Sequence, residues 1–192
     1  MRALNWTHNG TTGRNTKPHK GFIMNISLYA QPYNIDATGF YFSSYEEYTE
    51  KQESCRDSFG NVVEEFEIQH IDGAGDFARI VKPDQCNLEE WFEQAEQYDD
   101  LSDDEKTAFQ WLVDDCNTDA DEAFEKCNEV CIFEGTREEY AQEFVDDCYD
   151  LDRKMGDLAR YFDYDAFGRD LELGGDIVEI RHRVWVTNPH DF

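Results

Sequence analysis

The sequence predicts an α+β fold laid out in three parts: a β-rich N-terminal module over residues 24–83, an acidic helical middle over 84–128, and an α+β C-terminal module over 129–192. Two periodicities and one change of composition carry the prediction. Apolar and polar residues alternate in segments between Met24 and Asp72, as half-buried strands require. After Pro83 the apolar positions recur at three- and four-residue spacing, as amphipathic helices require. Acid concentrates in the same place: Asp84 to Asp152 holds 25 Asp and Glu against Lys106, Lys126 and Arg137, most of a net charge of −27.

Residues 1–23 contain Arg2, Arg14, Lys17 and Lys20, no acid and no apolar period, which predicts a disordered basic leader with Met24 as the start of the folded chain. Asn25–Gln31 then alternates Ile26, Leu28 and Ala30 with Ser27 and Tyr29 and reads as a strand. Residues Pro32 to Gly39 read as a turn, and Gly39–Ser43 as a second strand. Ser44-Tyr45-Glu46-Glu47 has the spacing of a capping box, opening a helix to about Ser54. Val62–Asp72 reads as a third strand, with Phe66, Ile68 and His70 on one face.

Beyond Pro83, Asn87–Tyr98 stacks Leu88, Trp91, Phe92, Ala95 and Tyr98 on one stripe, opposite Glu89, Glu93 and Glu96. Ser102-x-x-Glu105 caps a helix that turns Ala108, Phe109, Leu112, Val113 and Cys116 inward and Asp103, Asp104, Asp114 and Asp115 outward. Thr118 begins a short helix with Ala120, Ala123, Phe124 and Cys127 inside and Asp121 and Glu122 outside. A strand near Val130–Phe133 precedes a third capping box, Thr136-x-x-Glu139. That box opens Arg137–Tyr149, with Tyr140, Ala141, Phe144, Val145 and Cys148 opposed to Glu138, Glu139, Glu143, Asp146 and Asp147. The remainder reads as a helix over Lys154–Phe162, a helix or turn through Asp170, a break at Gly174-Gly175, and a strand. Ile177, Ile180, Val184 and Val186 are its apolar positions, with Arg181, Arg183 and Trp185 turned outward.

The chemistry open to this composition is limited. So many acids disfavour nucleic acid or an anionic membrane as partner and favour basic surfaces or cations. Paired carboxylates of an acidic enzyme occur by chance among 44 Asp and Glu, and no Ser/His/Asp or Cys/His set stands out, so no catalytic residue is assigned. Asp115-x-Asn117-x-Asp119 copies the start of a calcium loop, but Ala120 replaces its glycine and Lys126 its bidentate glutamate. Asp163-x-Asp165-x-x-Gly168 fails similarly, with Phe167 and Gly174 where ligands belong; no metal and no cofactor are expected. Gly73-x-Gly75-x-x-Ala78 has dinucleotide-loop spacing, yet Pro83 leaves little room for the following helix, so a turn is predicted. Six scattered cysteines, without a Cys-x-x-Cys pair or an apolar signal segment, predict reduced thiols in a cytoplasm.

What remains is the charge geometry. Carboxylates three and four apart on a helix lie roughly 5–6 Å from each other, comparable with successive phosphates along one DNA strand. Glu89, Glu93, Glu96, Asp103, Asp104, Asp114, Asp115, Asp121, Glu122, Glu138, Glu139, Glu143, Asp146 and Asp147 are the candidate phosphate-mimicking, partner-binding residues. A merely solvated acidic surface, an acidic decoy for some other basic DNA-binding protein, and a small calcium-binding or acidic enzyme module share this composition.

Leu158 to Gly175 adds a motif. Its Tyr161, Asp163, Tyr164, Gly168, Arg169, Asp170 and Leu171 resemble the C-terminal signature Tyr-x-Asp-Tyr-x-x-x-Gly-Arg-Asp-Leu of the ArdA antirestriction proteins. Ile26–Ala30, Gly39–Phe42 and Glu64–Asp72 resemble that family's N-terminal strands, so the resemblance covers most of Met24 to Ile180. It implies an elongated homodimer of three-module chains that mimics bent B-DNA and needs no cofactor. It further implies occupation of the DNA-binding groove of the methyltransferase core of type I restriction–modification enzymes, sparing incoming phage or plasmid DNA in a bacterial cytoplasm. On this resemblance the motif lies near the dimer contact, with Arg169 as a structural ion-pair partner.

Overall fold

The computed structural model describes residues 25–192; the expected basic leader lies outside the described residues. The fold is mixed α and β, with two small antiparallel sheets and eight α-helices among the described residues. In the first sheet β1 (Ser27–Pro32) runs between β2 (Phe40–Phe42) and β3 (Phe66–Asp72). Leu28 and Ala30 of β1 and Phe66 and Ile68 of β3 are buried, as alternation predicts. His70, paired with Leu28 in the register, is exposed at the rim of that face; its ring Nε2 lies 2.7 Å from the Gly73 carbonyl oxygen. The strand expected from Val62 starts only at Phe66, because the preceding loop is organised by Asp57. That carboxylate accepts the backbone N–H of Phe59 and of Asn61, and Val62 bridges back to Arg56.

Helix α1 (Tyr45–Ser54) is capped by Ser44, whose hydroxyl accepts the Glu47 N–H. The reciprocal half of the box is displaced: the Glu47 carboxylate takes the N–H and hydroxyl of Ser43 instead. Gly73, Ala74 and Gly75 all adopt positive φ, forming the predicted turn. A Cβ on Gly73 would sit 2.6 Å from the Asn25 carbonyl oxygen, so only glycine fits this close approach. A four-residue helix, α2 (Phe77–Ile80), follows where no element was expected. Its Phe77 is fully buried and packs against Trp91, Tyr98, Phe109 and Phe124 at centroid distances of 5.4–6.4 Å. Burying such a ring contributes on the order of 2–3 kcal/mol, so this aromatic group anchors the acidic helices to α2, which directly follows the first sheet.

Those helices are α3 (Leu88–Asp99), α4 (Asp103–Asp114) and α5 (Ala120–Lys126). Their buried faces are the predicted ones, with Gln94 and Trp111 added. Ser102 and Glu105 form a complete capping box on α4; α5 is capped by the Asp119 side chain, one residue beyond the expected start. Cys116, expected inside, is exposed because α4 ends at Asp114 and the helical period stops applying. Cys148, the last residue of its helix, is also exposed, while Cys127 is buried.

In the second sheet β6 (Val184–Val186) runs between β4 (Ile132–Glu134) and β5 (Val178–Arg181). The expected single strand from Ile177 to Val186 is instead a hairpin, reversed at His182 and at Arg183, whose φ is +63°. The reversal resets the alternation. Trp185, expected outside, is buried, and its indole N–H donates to the Gly135 carbonyl at 3.0 Å. Helix α6 (Arg137–Cys148) opens with the full Thr136–Glu139 box. The predicted helix Lys154–Phe162 is split into α7 (Leu151–Met155) and a 3-10 segment (Gly156–Tyr161), because Gly156 takes a left-handed φ of +55°. Helix α8 (Tyr164–Gly174) ends at Gly175, φ +77°, as the Gly-Gly break predicts.

One buried apolar cluster runs from Ile26 to Val186; Ala141, Val145, Ile177 and Trp185 are buried outside it. The edge-on contact of Trp111 with Phe192 and a hydrogen bond from Arg181 to the Thr107 hydroxyl join α4 to the C-terminal segment. No helix among the described residues is long and apolar enough to cross a membrane.

Candidate functional site

All fourteen candidate carboxylates are exposed. Burial of the apolar stripes leaves the acids no other face, since opposite sides of one helix cannot both turn inward. Glu89, Glu93 and Glu96 climb α3 at four- and three-residue intervals. Asp103 and Asp104 open α4 and line a cleft of about 430 Å³ with Asp76, Asp99 and Glu134, where Lys106 and Arg181 are the cations. Asp121 and Glu122 share a groove with Glu90, Asp119 and Glu125. Asp146 and Asp147 border a third depression with Asp150, Arg160 and Tyr164. Asp76 and Glu134 lie outside the helical acid runs, and helical periodicity offered no signal for them.

The fourteen differ in how they are held. Asp114 lies 3.7 Å from the Arg79 guanidinium; Asp121 accepts a hydrogen bond from Gln94 at 2.9 Å; Glu122 pairs with Lys126. Glu139 is held by the Thr136 N–H at 2.6 Å and by Arg183 at 3.0 Å. The Thr136 backbone and hydroxyl bonds, with Arg183 nearby, hold its carboxyl below the usual range. Among the described residues the other ten make no side-chain hydrogen bond or ion pair: Glu89, Glu93, Glu96, Asp103, Asp104, Asp115, Glu138, Glu143, Asp146 and Asp147. They face water as bare charge, an arrangement that opposes folding by self-repulsion and suits a basic counter-surface.

The calcium-like spacings are committed elsewhere. Asp119 caps α5, Asp163 caps α8 by accepting the Ala166 N–H at 2.9 Å, and Asp165 is bonded to Arg137. Among the described residues no group of three or more His, Cys, Asp or Glu is arranged to hold a metal ion.

The C-terminal motif runs from the end of the 3-10 segment through the cap of α8 into the helix. Tyr161 is exposed, Tyr164 half-buried and edge-on to Phe162 at 5.0 Å, Arg169 and Asp170 exposed, and Leu171 half-buried. Gly168 is buried against α6: a Cβ there would lie 2.9 Å from both the Arg137 Cγ and the Arg137 carbonyl oxygen, and 3.2 Å from the Ala141 Cβ. The glycine thus permits close helix contact. Across it reaches Arg137, whose two terminal nitrogens donate to Asp165 Oδ1 at 2.8 Å and Glu172 Oε2 at 2.6 Å. Arg137 Nε is buried without an acceptor among the described residues. Arg169 is exposed and adds to the lowering of the Asp165 carboxyl, while the two ion pairs across the contact are made by Arg137, a residue without an expected role. A signal for it existed: a cation in the first turn of an acidic helix opposes the helix dipole, so its charge needs partners outside that helix. Exposed apolar groups flank the motif, with Leu158 61%, Tyr161 71% and Leu173 80% accessible.

Against known proteins, the family model described as "Antirestriction protein (ArdA)" matches residues 23–186. Neither the curated proteins nor the solved structures gave a match. The matched span takes in both sheets, the acidic helices and the motif on α8, and the chain belongs to the ArdA family of antirestriction proteins.

Proposed function

We propose that this antirestriction protein acts as a DNA mimic, occupying the DNA-binding groove in the methyltransferase core of a type I restriction–modification enzyme. The observation that supports this most is the set of ten exposed carboxylates that no side chain among the described residues holds. A protein gains no stability from leaving them so, whereas a groove built to release counterions from phosphates gains affinity from them. The acids act collectively and no bond is made or broken. The chain works in the bacterial cytoplasm as a homodimer of three-module protomers, joined through the exposed apolar groups around α8, which doubles the charge array against a bipartite site.

The test is competition. The protein is titrated onto an isolated methyltransferase core with and without a saturating duplex carrying its recognition site. Mutual exclusion, with affinity falling steeply as salt rises, is the expected result; simultaneous binding of duplex and protein excludes the proposal. Failure to bind any such core, together with tight binding to an unrelated basic DNA-binding protein, assigns the acids to a different decoy target.

A further inference from the structure

We propose that Arg137 is a positioning residue that sets the direction of the α6 acid face relative to the α8 edge of the molecule. The inference rests on the DNA-mimic reading, since it concerns where the carboxylates point. Arg137 stands at the first position of α6, immediately before Glu138 and Glu139, so its backbone belongs to the acid face while its side chain belongs to α8. On α8 its partners Asp165 and Glu172 lie seven residues apart, two turns on one side of the helix, with Gly168 between them. A planar guanidinium can span both; an ammonium, a single point charge, cannot hold two carboxylates that far apart in a fixed orientation. The glycine lets the helices approach where a Cβ would meet Arg137 and Ala141, and the arginine fixes their rotation about the contact. The two features lock one geometry.

Arg137 therefore transmits the motif on α8 to carboxylates that the motif does not contain. A molecule without the fork keeps every acid but loses their common direction, and rigid placement is what a groove of fixed shape rewards.

Charge counting and positioning predict opposite signs, which makes the test decisive. Arg137→Gln removes a cation and frees Asp165 and Glu172, so a simple count of charge expects tighter binding to a basic groove. Positioning expects the affinity of the full chain for the methyltransferase core to fall about tenfold or more, with faster hydrogen exchange at the α8 amides. Arg137→Lys, which keeps the charge, is expected to behave like the glutamine variant. Glu172→Gln, which removes one arm and one negative charge without changing side-chain size, loses affinity on either view, so it is read by faster hydrogen exchange at the α8 amides and remains available if the arginine variants fold poorly. Wild-type binding that is lost in folded variants supports the inference. Equal or tighter binding by folded Arg137→Gln, or unchanged exchange at the α8 amides in Glu172→Gln, overturns it while leaving the mimic reading intact, whereas absence of binding by the wild type overturns both.

Discussion

Glu47, Glu105 and Glu139 close the N-termini of α1, α4 and α6, and each has its carboxyl held below its ordinary range by the bonds it makes there. Glu47 is drawn furthest, to about 2, by the Lys51 ammonium first and then by the hydroxyl and N–H of Ser43. A carboxyl depressed in the folded state contributes stability that is fully present above its unfolded value of 4.5 and is lost as pH falls toward 2. Glu47→Gln is therefore expected to lower Tm at pH 7, with the difference from wild type shrinking as pH drops from 4.5 toward 2. Thermal melts of both proteins across that range measure it; a difference that stays constant with pH removes ionisation as the cause. The box at Ser102 has a simpler cost: capping serines contribute about 1 kcal/mol each.

For a helix, the relevant unit is the stripe. Glu89, Glu93 and Glu96 form one outward stripe of α3, beside the exposed Glu90 and Asp99, and none of the three is held by another side chain among the described residues. Replacing one by glutamine is expected to change affinity for the methyltransferase core by less than about threefold. Replacing all three is expected to cost more than about tenfold, with a shallower dependence on salt concentration, because fewer counterions are exchanged. Binding isotherms at several salt concentrations separate the two cases, and a single indispensable glutamate argues for a discrete site instead of an array.

At this scale the sequence was most legible where one physical rule acted alone. Helix faces followed from apolar spacing, and two complete capping boxes from Ser/Thr–x–x–Glu. The rule broke where backbone geometry intervened. Arg183 reverses the last strand and carries Trp185 inside; Gly156 divides a helix; Asp114 ends one before Cys116 can reach the core. Of the candidate site, exposure of the acids was readable, because the core claims the other faces. Their pairing was not: the Arg79–Asp114 and Arg137–Glu172 contacts join residues 35 apart, a separation over which periodicity carries no information.

The whole molecule sets salt two opposed tasks. Its acids repel one another in the free protein, so screening stabilises the fold; the same acids attract a basic groove, so screening weakens the complex. Raising monovalent salt from about 0.02 to 0.5 M, across which the screening length falls from tens of ångströms to a few, is expected to raise Tm while lowering affinity. Parallel melts and titrations check this, and a Tm that falls with salt contradicts the repulsion argument.

Cys127 gives that repulsion a clock. Its thiol is buried between α4 and α5, and burial pushes its pKa up, so an alkylating reagent reaches it only when this part of the protein opens. The exposed thiols of Cys86, Cys116, Cys131 and Cys148 react without waiting for such an opening. Told apart from that of half-buried Cys55, whose thiol burial also raises, the slow modification of Cys127 is thus a built-in measure of how often the acidic helices part, and a basic partner seated on them slows it in proportion to how firmly it holds them together.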